Sequence, residues 1–263
     1  MRILSILLLL VASMGFAEDA NIRIIPVKPT PEPNNVETTI VFPKEDQIIS
    51  NPVKVQIRLV GFPVGTISDF DRKNEIYNDP HGQSMLVFID NEHPIEIYKS
   101  FVDSLDQNNL FYYMTLNTTV PFNLKQGMHV IRAFPDRSFG ESLKGSGCYD
   151  ASIFYIGREE DNLDIDLDDP YLTYNEPLET LRYSSEKPIL LDFYLSNVQL
   201  SRDGYKVKVT IDKDTERSLT SWVPYYVYGL EAGKHTIQLQ LINEKNEVVP
   251  GLFNDVTRTI TVN

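Results

Sequence analysis

From Pro52 to Leu59 the chain alternates strictly: Val53, Val55, Ile57 and Leu59 fall on one face, and Lys54, Gln56 and Arg58 on the other. A period of two predicts a half-buried β-strand. Met85 to Ile89 is a second apolar run, stopped by Asp90-Asn91-Glu92-His93-Pro94, a stretch rich in turn-forming residues. Ile95 to Tyr98 and Phe111 to Leu116 read as further strands. An alternating strand then opens at Gly127-Met128-His129, and a closing strand runs from Ser152 to Ile156.

The same series recurs. Gly233-Lys234-His235 opens a second alternating strand, and the distance to the closing strand is identical, 156 − 127 = 29 and 262 − 233 = 29. Pro188 to Leu195 matches the strand after Pro52, Tyr205 to Asp212 matches Met85 to Asp90, and Val223-Pro224 matches Val120-Pro121. A fixed internal offset marks two homologous modules in tandem. No segment carries a capped apolar period of 3.6 residues, so short strands with turns between them predict an all-β protein of two sandwiches.

The pattern Phe42-Pro43-x4-Ile48-x2-Asn51-Pro52-Val53-x-Val55-x-Ile57, followed by Gly-x-His-x-Ile and a terminal alternating strand, resembles bacterial immunoglobulin-like domains. The resemblance covers both modules. It implies two tandem immunoglobulin-like β-sandwich domains acting as spacers, adhesive modules or accessory domains of surface proteins. The Cys pair and the core Trp of antibody domains are missing.

The ends and joints differ in character. Met1-Arg2, the apolar run from Ile3 to Ala12 and Gly15-Phe16-Ala17 read as a signal peptide over residues 1–17, which places the mature chain outside the cytoplasm, in the periplasm, at the cell surface or secreted. Residues 18–38 hold four prolines between Pro26 and Pro33 and read as an extended spacer. Module one is expected over 39–157 with an insertion at 60–84, an acidic linker over 158–180, and module two over 181–263. The full chain carries 24 Lys+Arg against 37 Asp+Glu, and losing Arg2 with the leader leaves 23 − 37 = −14. That balance argues against nucleic acid and anionic lipid as partners. Cys148 is the single cysteine, which rules out an internal disulfide.

Candidate chemistry comes in four places. His129 and His235 occupy the same repeat position, so they read as scaffold residues bonded to backbone at a strand start. The insertion is where the modules disagree most: 25 residues separate Leu59 from Met85, against 9 between Leu195 and Tyr205. It carries Asp79 and His81, which fit a cation site or a partner-binding rim, or else a solvated loop. In the linker, Asp164, Asp166 and Asp168 fall on one side of an extended chain opposite Leu163, Ile165 and Leu167. They read as a structural Ca²⁺ site or as an acidic joint. Trp222, Tyr225, Tyr226 and Tyr228 precede the Gly-x-His strand of module two and read as an exposed platform for a protein or glycan, or as half core. His-Glu-x-x-His, paired Cys-x-x-Cys and Gly-x-Ser-x-Gly motifs are absent. The sequence therefore predicts an exported, non-enzymatic binding, adhesive or structural protein with no cofactor beyond Ca²⁺ and no membrane-spanning segment. A carbohydrate-recognition accessory protein is the first alternative, and a glycosidase with two carboxylates the second.

Overall fold

A computed structural model describes residues 22–99, 113–160 and 163–263. The leader lies outside these residues, as does the start of the strand expected from Phe111. Module one contains β2 (Glu37–Phe42), β3 (Gln47–Ile49), β4 (Lys54–Val60), β5 (Ser84–Ile89), β6 (Ile95–Ile97), β7 (Tyr113–Thr119), β8 (Gly127–Asp136) and β9 (Asp150–Ile156). Module two contains β10 (Tyr171–Glu176), β11 (Arg182–Tyr183), β12 (Ile189–Ser196), β13 (Lys206–Ile211), β14 (Thr215–Leu219), β15 (Tyr225–Tyr228), β16 (Gly233–Ile242) and β17 (Asp255–Val262). A further strand, β1 (Arg23–Pro26), precedes them, and a single-turn helix, α1 (Arg72–Glu75), lies in the insertion.

Both modules are sandwiches of one topology. In module one a β2-β4-β7 sheet faces a β3-β9-β8-β5-β6 sheet. In module two the equivalent strands form β15-β12-β10 and β11-β17-β16-β13-β14. In each, a short early strand joins the last strand in parallel (β3 with β9, β11 with β17), while every other pairing is antiparallel. This is the immunoglobulin-like arrangement of two packed antiparallel sheets. The alternating residues Val53, Val55, Ile57 and Leu59 are buried in the module-one core, as their period requires.

Three segments differ from their sequence reading. The proline-rich stretch is no free spacer: β1 pairs antiparallel with β15, Arg23 opposite Tyr228, and Ile24 enters the core of module two. Proline tolerates a sheet edge, where its missing N–H faces away from the ladder, and β1 is the edge strand here. The acidic linker ends at Pro170, because β10 begins at Tyr171 with all six of its residues buried. The insertion likewise shrinks to 61–83, since Val60 closes β4 and Ser84 opens β5.

The modules lie side by side and pack sheet on sheet. The outer face of β5 and β8 is covered by the outer face of β10 and β12, while β15 packs against Ile76 and Phe139. Leu86, Phe88 and Phe134 cluster with Tyr194, and Val130 clusters with Tyr171 and Phe253. Rings continue across the seam. Phe88 stacks on Phe134 at 5.4 Å, Phe134 on Tyr194 at 4.9 Å, and Trp222 meets Tyr194 edge-on at 5.1 Å. Such pairs contribute roughly 0.5–1.5 kcal/mol each beyond the area they bury.

Candidate functional site

The junction between the modules holds most of the residues whose chemistry the sequence singles out. Along β15, Tyr225 and Val227 point into the module-two core, while Tyr226 and Tyr228 point at module one. The predicted split of the aromatic segment is thus correct in periodicity. The exposed platform is not: Tyr225 and Tyr226 are buried, and Trp222 and Tyr228 are half-buried. Trp222 donates its indole N–H to the Phe193 carbonyl at 2.9 Å, and Tyr225 donates to the Ser221 carbonyl at 2.8 Å. A second module covers the face that sequence pattern left open to solvent.

The insertion docks on this strip. Ile76, just past α1, packs with Phe139, Leu190 and Tyr226. The Tyr226 hydroxyl donates to Glu75 Oε2 at 2.7 Å and accepts from Arg72 Nε at 3.1 Å. Arg72 also pairs with Glu141, donates to Thr30 Oγ1 at 3.1 Å and reaches the Lys28 carbonyl at 2.6 Å. Glu141 in turn accepts from the Thr30 amide and hydroxyl at 2.9 and 2.6 Å. One arginine therefore ties the insertion, the N-terminal segment and module two together.

A second cross-module knot is ionic. Asp192 on β12 is fully buried and accepts from Lys144 Nζ at 2.6 Å, Ser142 Oγ at 2.5 Å, the Ser142 amide at 3.1 Å and Asn175 Nδ2 at 2.9 Å. Four donors on one carboxylate satisfy it, which is the condition for tolerating a buried charge. Nearby Glu176 accepts from the Tyr183 hydroxyl at 2.8 Å and the Leu178 amide at 3.0 Å. Burial nevertheless pushes its carboxyl up to about 8.

Asp79 and His81 do meet, and the structure adds Tyr98, which sequence reasoning left as a strand residue. Asp79 Oδ1 accepts from the His81 amide at 2.8 Å and lies 2.7 Å from its Nδ1, while Oδ2 accepts from the Tyr98 hydroxyl at 2.7 Å. Burial works against the Asp79 charge, but the Tyr98 and His81 bonds prevail and hold the carboxyl below its ordinary range. The His81 ring is largely exposed. Its carboxylate partner is occupied in closing the turn.

The linker alternates as expected, with Asp164, Asp166 and Asp168 exposed, and Ile165 and Leu167 packed at the junction. Asp166 Oδ1 accepts from the Asp168 amide at 2.9 Å, a local turn bond. Among the described residues no three His, Cys, Asp or Glu side chains converge to hold a metal ion.

The two repeat histidines form identical corners. His129 Nδ1 faces Asp90 Oδ2 at 2.7 Å and Nε2 faces the Lys125 carbonyl at 2.8 Å. His235 does the same with Asp212 at 2.6 Å and the Glu231 carbonyl at 2.8 Å. The other oxygen of each aspartate accepts the amide of Val130 or Thr236. Backbone bonding was expected, whereas the aspartates were missed, although each stands at the end of the strand three before its histidine strand, β5 before β8 and β13 before β16. Both ring nitrogens face acceptors, an arrangement that favours the doubly protonated ring. Burial disfavours that charge, but the aspartate bond and the carbonyl outweigh it and raise both histidines.

Outside the junction, module one carries a groove of about 840 Å³ lined by Glu32, Asn34, Asn35, Arg58 and Tyr113, among others. The Arg58 guanidinium lies 4.8 Å over the Tyr113 ring. Cys148 is among its lining residues and is buried in the module-one core, where burial pushes its thiol up to about 11. That is the inert state of a structural cysteine.

No sequence-family model matches the chain, and no curated protein matches it. Among solved structures it is similar to the fibronectin(III)-like modules of Clostridium thermocellum CbhA, at 10% identity over 86% of this chain and 93% of that one, with a TM-score of 0.29. It is similar to the Bacteroides ovatus mixed-linkage glucan utilization locus protein SGBP-B, solved with a mixed-linkage heptasaccharide, at 12% identity over 89% of this chain and 46% of that one, TM-score 0.23. A third is CBD12 from CALX1.2, at 6% identity over 81% of this chain and 82% of that one, TM-score 0.20. With scores this low, the all-β class rests on the strand topology of this chain. Among the described residues no helix is long and apolar enough to cross a membrane.

Proposed function

We propose that the mature protein is an exported, non-enzymatic binding or structural element of the cell envelope, in which two sandwiches are fused into one stiff body. The observation that supports this most is the junction. The aromatic strip, the arginine of the insertion and the buried aspartate are all used in holding the modules together, which suits a rigid presenter of surface better than a reactive cleft. A second reading, glycan contact, is favoured by the module-one groove. Its amide, carboxylate and guanidinium groups beside one tyrosine ring match the mix of polar donors and a flat apolar face that sugars present.

The test is a cell-envelope glycan array probed with the full chain, paired with an assay for released reducing sugar. Retention without turnover, lost in Tyr113→Ala, is the expected result. Released sugar would replace the binding reading with an enzymatic one. Absence of any retained glycan would remove the glycan reading and leave a protein-facing or structural role.

A further inference from the structure

Among the described residues, the four sheets leave eight edge strands. An open edge offers unpaired N–H and C=O groups to any other strand, and proteins blunt it with shortness, charge, proline, bulges or a cover. Seven of the eight are treated in this way. β3 and β6 have three residues each, and β11 has two. β14 carries Glu216 and Arg217, and β1 carries Arg23 and Pro26. On β2 the Thr38 amide donates to the Gly147 carbonyl at 2.8 Å and the Ile40 amide to Asp150 Oδ2 at 2.6 Å, and the register shifts after Ile40. On β10 the Leu172 amide donates to Asn254 Oδ1 at 2.9 Å, and Arg258 donates to the carbonyls of Tyr174, Asn175 and Pro177. The eighth is β7, Tyr-Met-Thr-Leu-Asn-Thr-Thr. Its seven residues run in unbroken register with β4, without charge, proline or bulge.

The repeat shows what such an edge accepts. β7 and β15 hold the same place in their sheets, next to β4 and β12. The outer edge of β15 is closed by β1, an antiparallel strand, whereas no strand among the described residues lies along β7. The Val120 amide donates to the Val53 carbonyl at 2.8 Å. Antiparallel pairs alternate between bonded and non-bonded, so Met114, Leu116 and Thr118 exchange their bonds with β4. Tyr113, Thr115, Asn117 and Thr119 turn their N–H and C=O groups outward.

We propose that β7 is a docking edge for a second copy of this chain, its own β7 lying antiparallel about a two-fold axis at Leu116. In that register Thr115 faces Asn117 of the second copy and Tyr113 faces Thr119. Every outward residue thereby meets another, and each facing pair exchanges two hydrogen bonds. A slip of one residue would turn the side chains of one strand to the wrong face. Although the full chain carries a net charge of −13, β7 carries none, so the strands oppose no like charges. The register also brings the Tyr113 ring of the second copy over Thr119. There, on the outer face, lies a hollow of about 420 Å³ lined by Lys54, Gln56, Asn117 and Thr119, among others. A ring and a hollow on each copy make a self-complementary, closed interface. The two β2-β4-β7 sheets become one of six strands, a case of strand addition at a sheet edge. The pairing does not rest on the glycan reading.

The experiment is sedimentation equilibrium of the mature chain, residues 18–263, from nanomolar to high micromolar concentration, alongside Thr115→Pro and Asn117→Lys. Thr115→Pro removes an outward N–H and keeps the bonds to β4, the position where an edge strand tolerates proline. Asn117→Lys gives the exposed face of β7 a charge of the kind that blunts other edges. A reversible monomer–dimer equilibrium is expected, weakened at least about tenfold in each variant, because the two-fold axis applies every lost bond twice. Amide hydrogen exchange across residues 113–119 should slow as the native protein dimerises. Trp222 fluorescence confirms that each variant is folded, and if Thr115→Pro does not fold, Asn117→Lys decides. A native protein that stays monomeric over the whole range overturns the proposal and leaves the edge to a strand of a different protein. A dimer that the folded variants leave unchanged also overturns it, since that dimer uses another surface.

Discussion

Lys144→Met tests the claim that the two modules are one body. The Lys144 ammonium lies 2.6 Å from Asp192 Oδ1, with the lysine side chain 12% exposed and the aspartate 0%. The substitution keeps the aliphatic stem but leaves a buried carboxylate with only Ser142 and Asn175 as donors. Removing one partner of a buried pair costs about 3–5 kcal/mol. The three remaining bonds place the expected loss near the low end, about 3 kcal/mol. For a protein of this size that lowers the thermal midpoint by roughly 6–12 °C. Trp222 is the only tryptophan and sits 5.9 Å from Lys144 Nζ, so its fluorescence reports the seam during urea unfolding. The double variant Lys144→Met with Asp192→Asn should recover much of the loss, because a neutral pair leaves no stranded charge. A loss below about 1 kcal/mol for the single variant, the range of an exposed ion pair, would refute the reasoning.

Three other outcomes follow from the structure. His129 and His235 are held above their ordinary value, so the stability they add is complete below about pH 6.5 and is lost as pH rises through the folded value. Urea midpoints from weakly acid to alkaline pH should fall more steeply in the native protein than in His129→Gln/His235→Gln, and parallel profiles would dismiss the charged corners. Glu176 is raised instead, so the folded state keeps a proton that the unfolded state has released. Stability from this group therefore declines between the ordinary Glu range and about pH 8, and Glu176→Gln should be more stable than native at pH 7 with no gain at pH 4, measured by the same midpoints. Deleting residues 22–28 removes β1 and the buried Ile24; the urea midpoint should drop, and an unchanged one would mean that the strand contributes nothing to module two.

Much of the seam was written in the repeat, in the way its two copies disagree. On the shared strand opened by Gly-x-His, module one has Val130, Arg132 and Phe134 where module two has Thr236, Gln238 and Gln240. On the neighbouring strand it has Leu86 and Phe88 against Lys208 and Thr210. Every residue of β8 and β5 is buried, whereas β13 alternates. The reverse holds for β12, which is nearly continuous in apolar residues where β4 alternates. A strand buried on both faces loses its alternation, so these runs identify the covered sheets. They do not say which sheet covers which. The insertion was legible as the main difference between copies, but its role as a brace was not, because Arg72 and Tyr226 are 154 positions apart.

By itself, the sequence determined the strands, the turns, the two-module repeat and the inward face of each sheet, because alternation is a local property of an extended chain. It also placed the histidines at strand starts and the aspartates of the linker on its outer side. Tertiary structure decided what lies against the outward faces. It put β1 beside β15 rather than in a spacer, turned an aromatic platform into a seam, and set β7 at the edge of its sheet. Each of these depends on pairings between distant segments, where the chemistry of one surface is completed only by another that the local pattern cannot name.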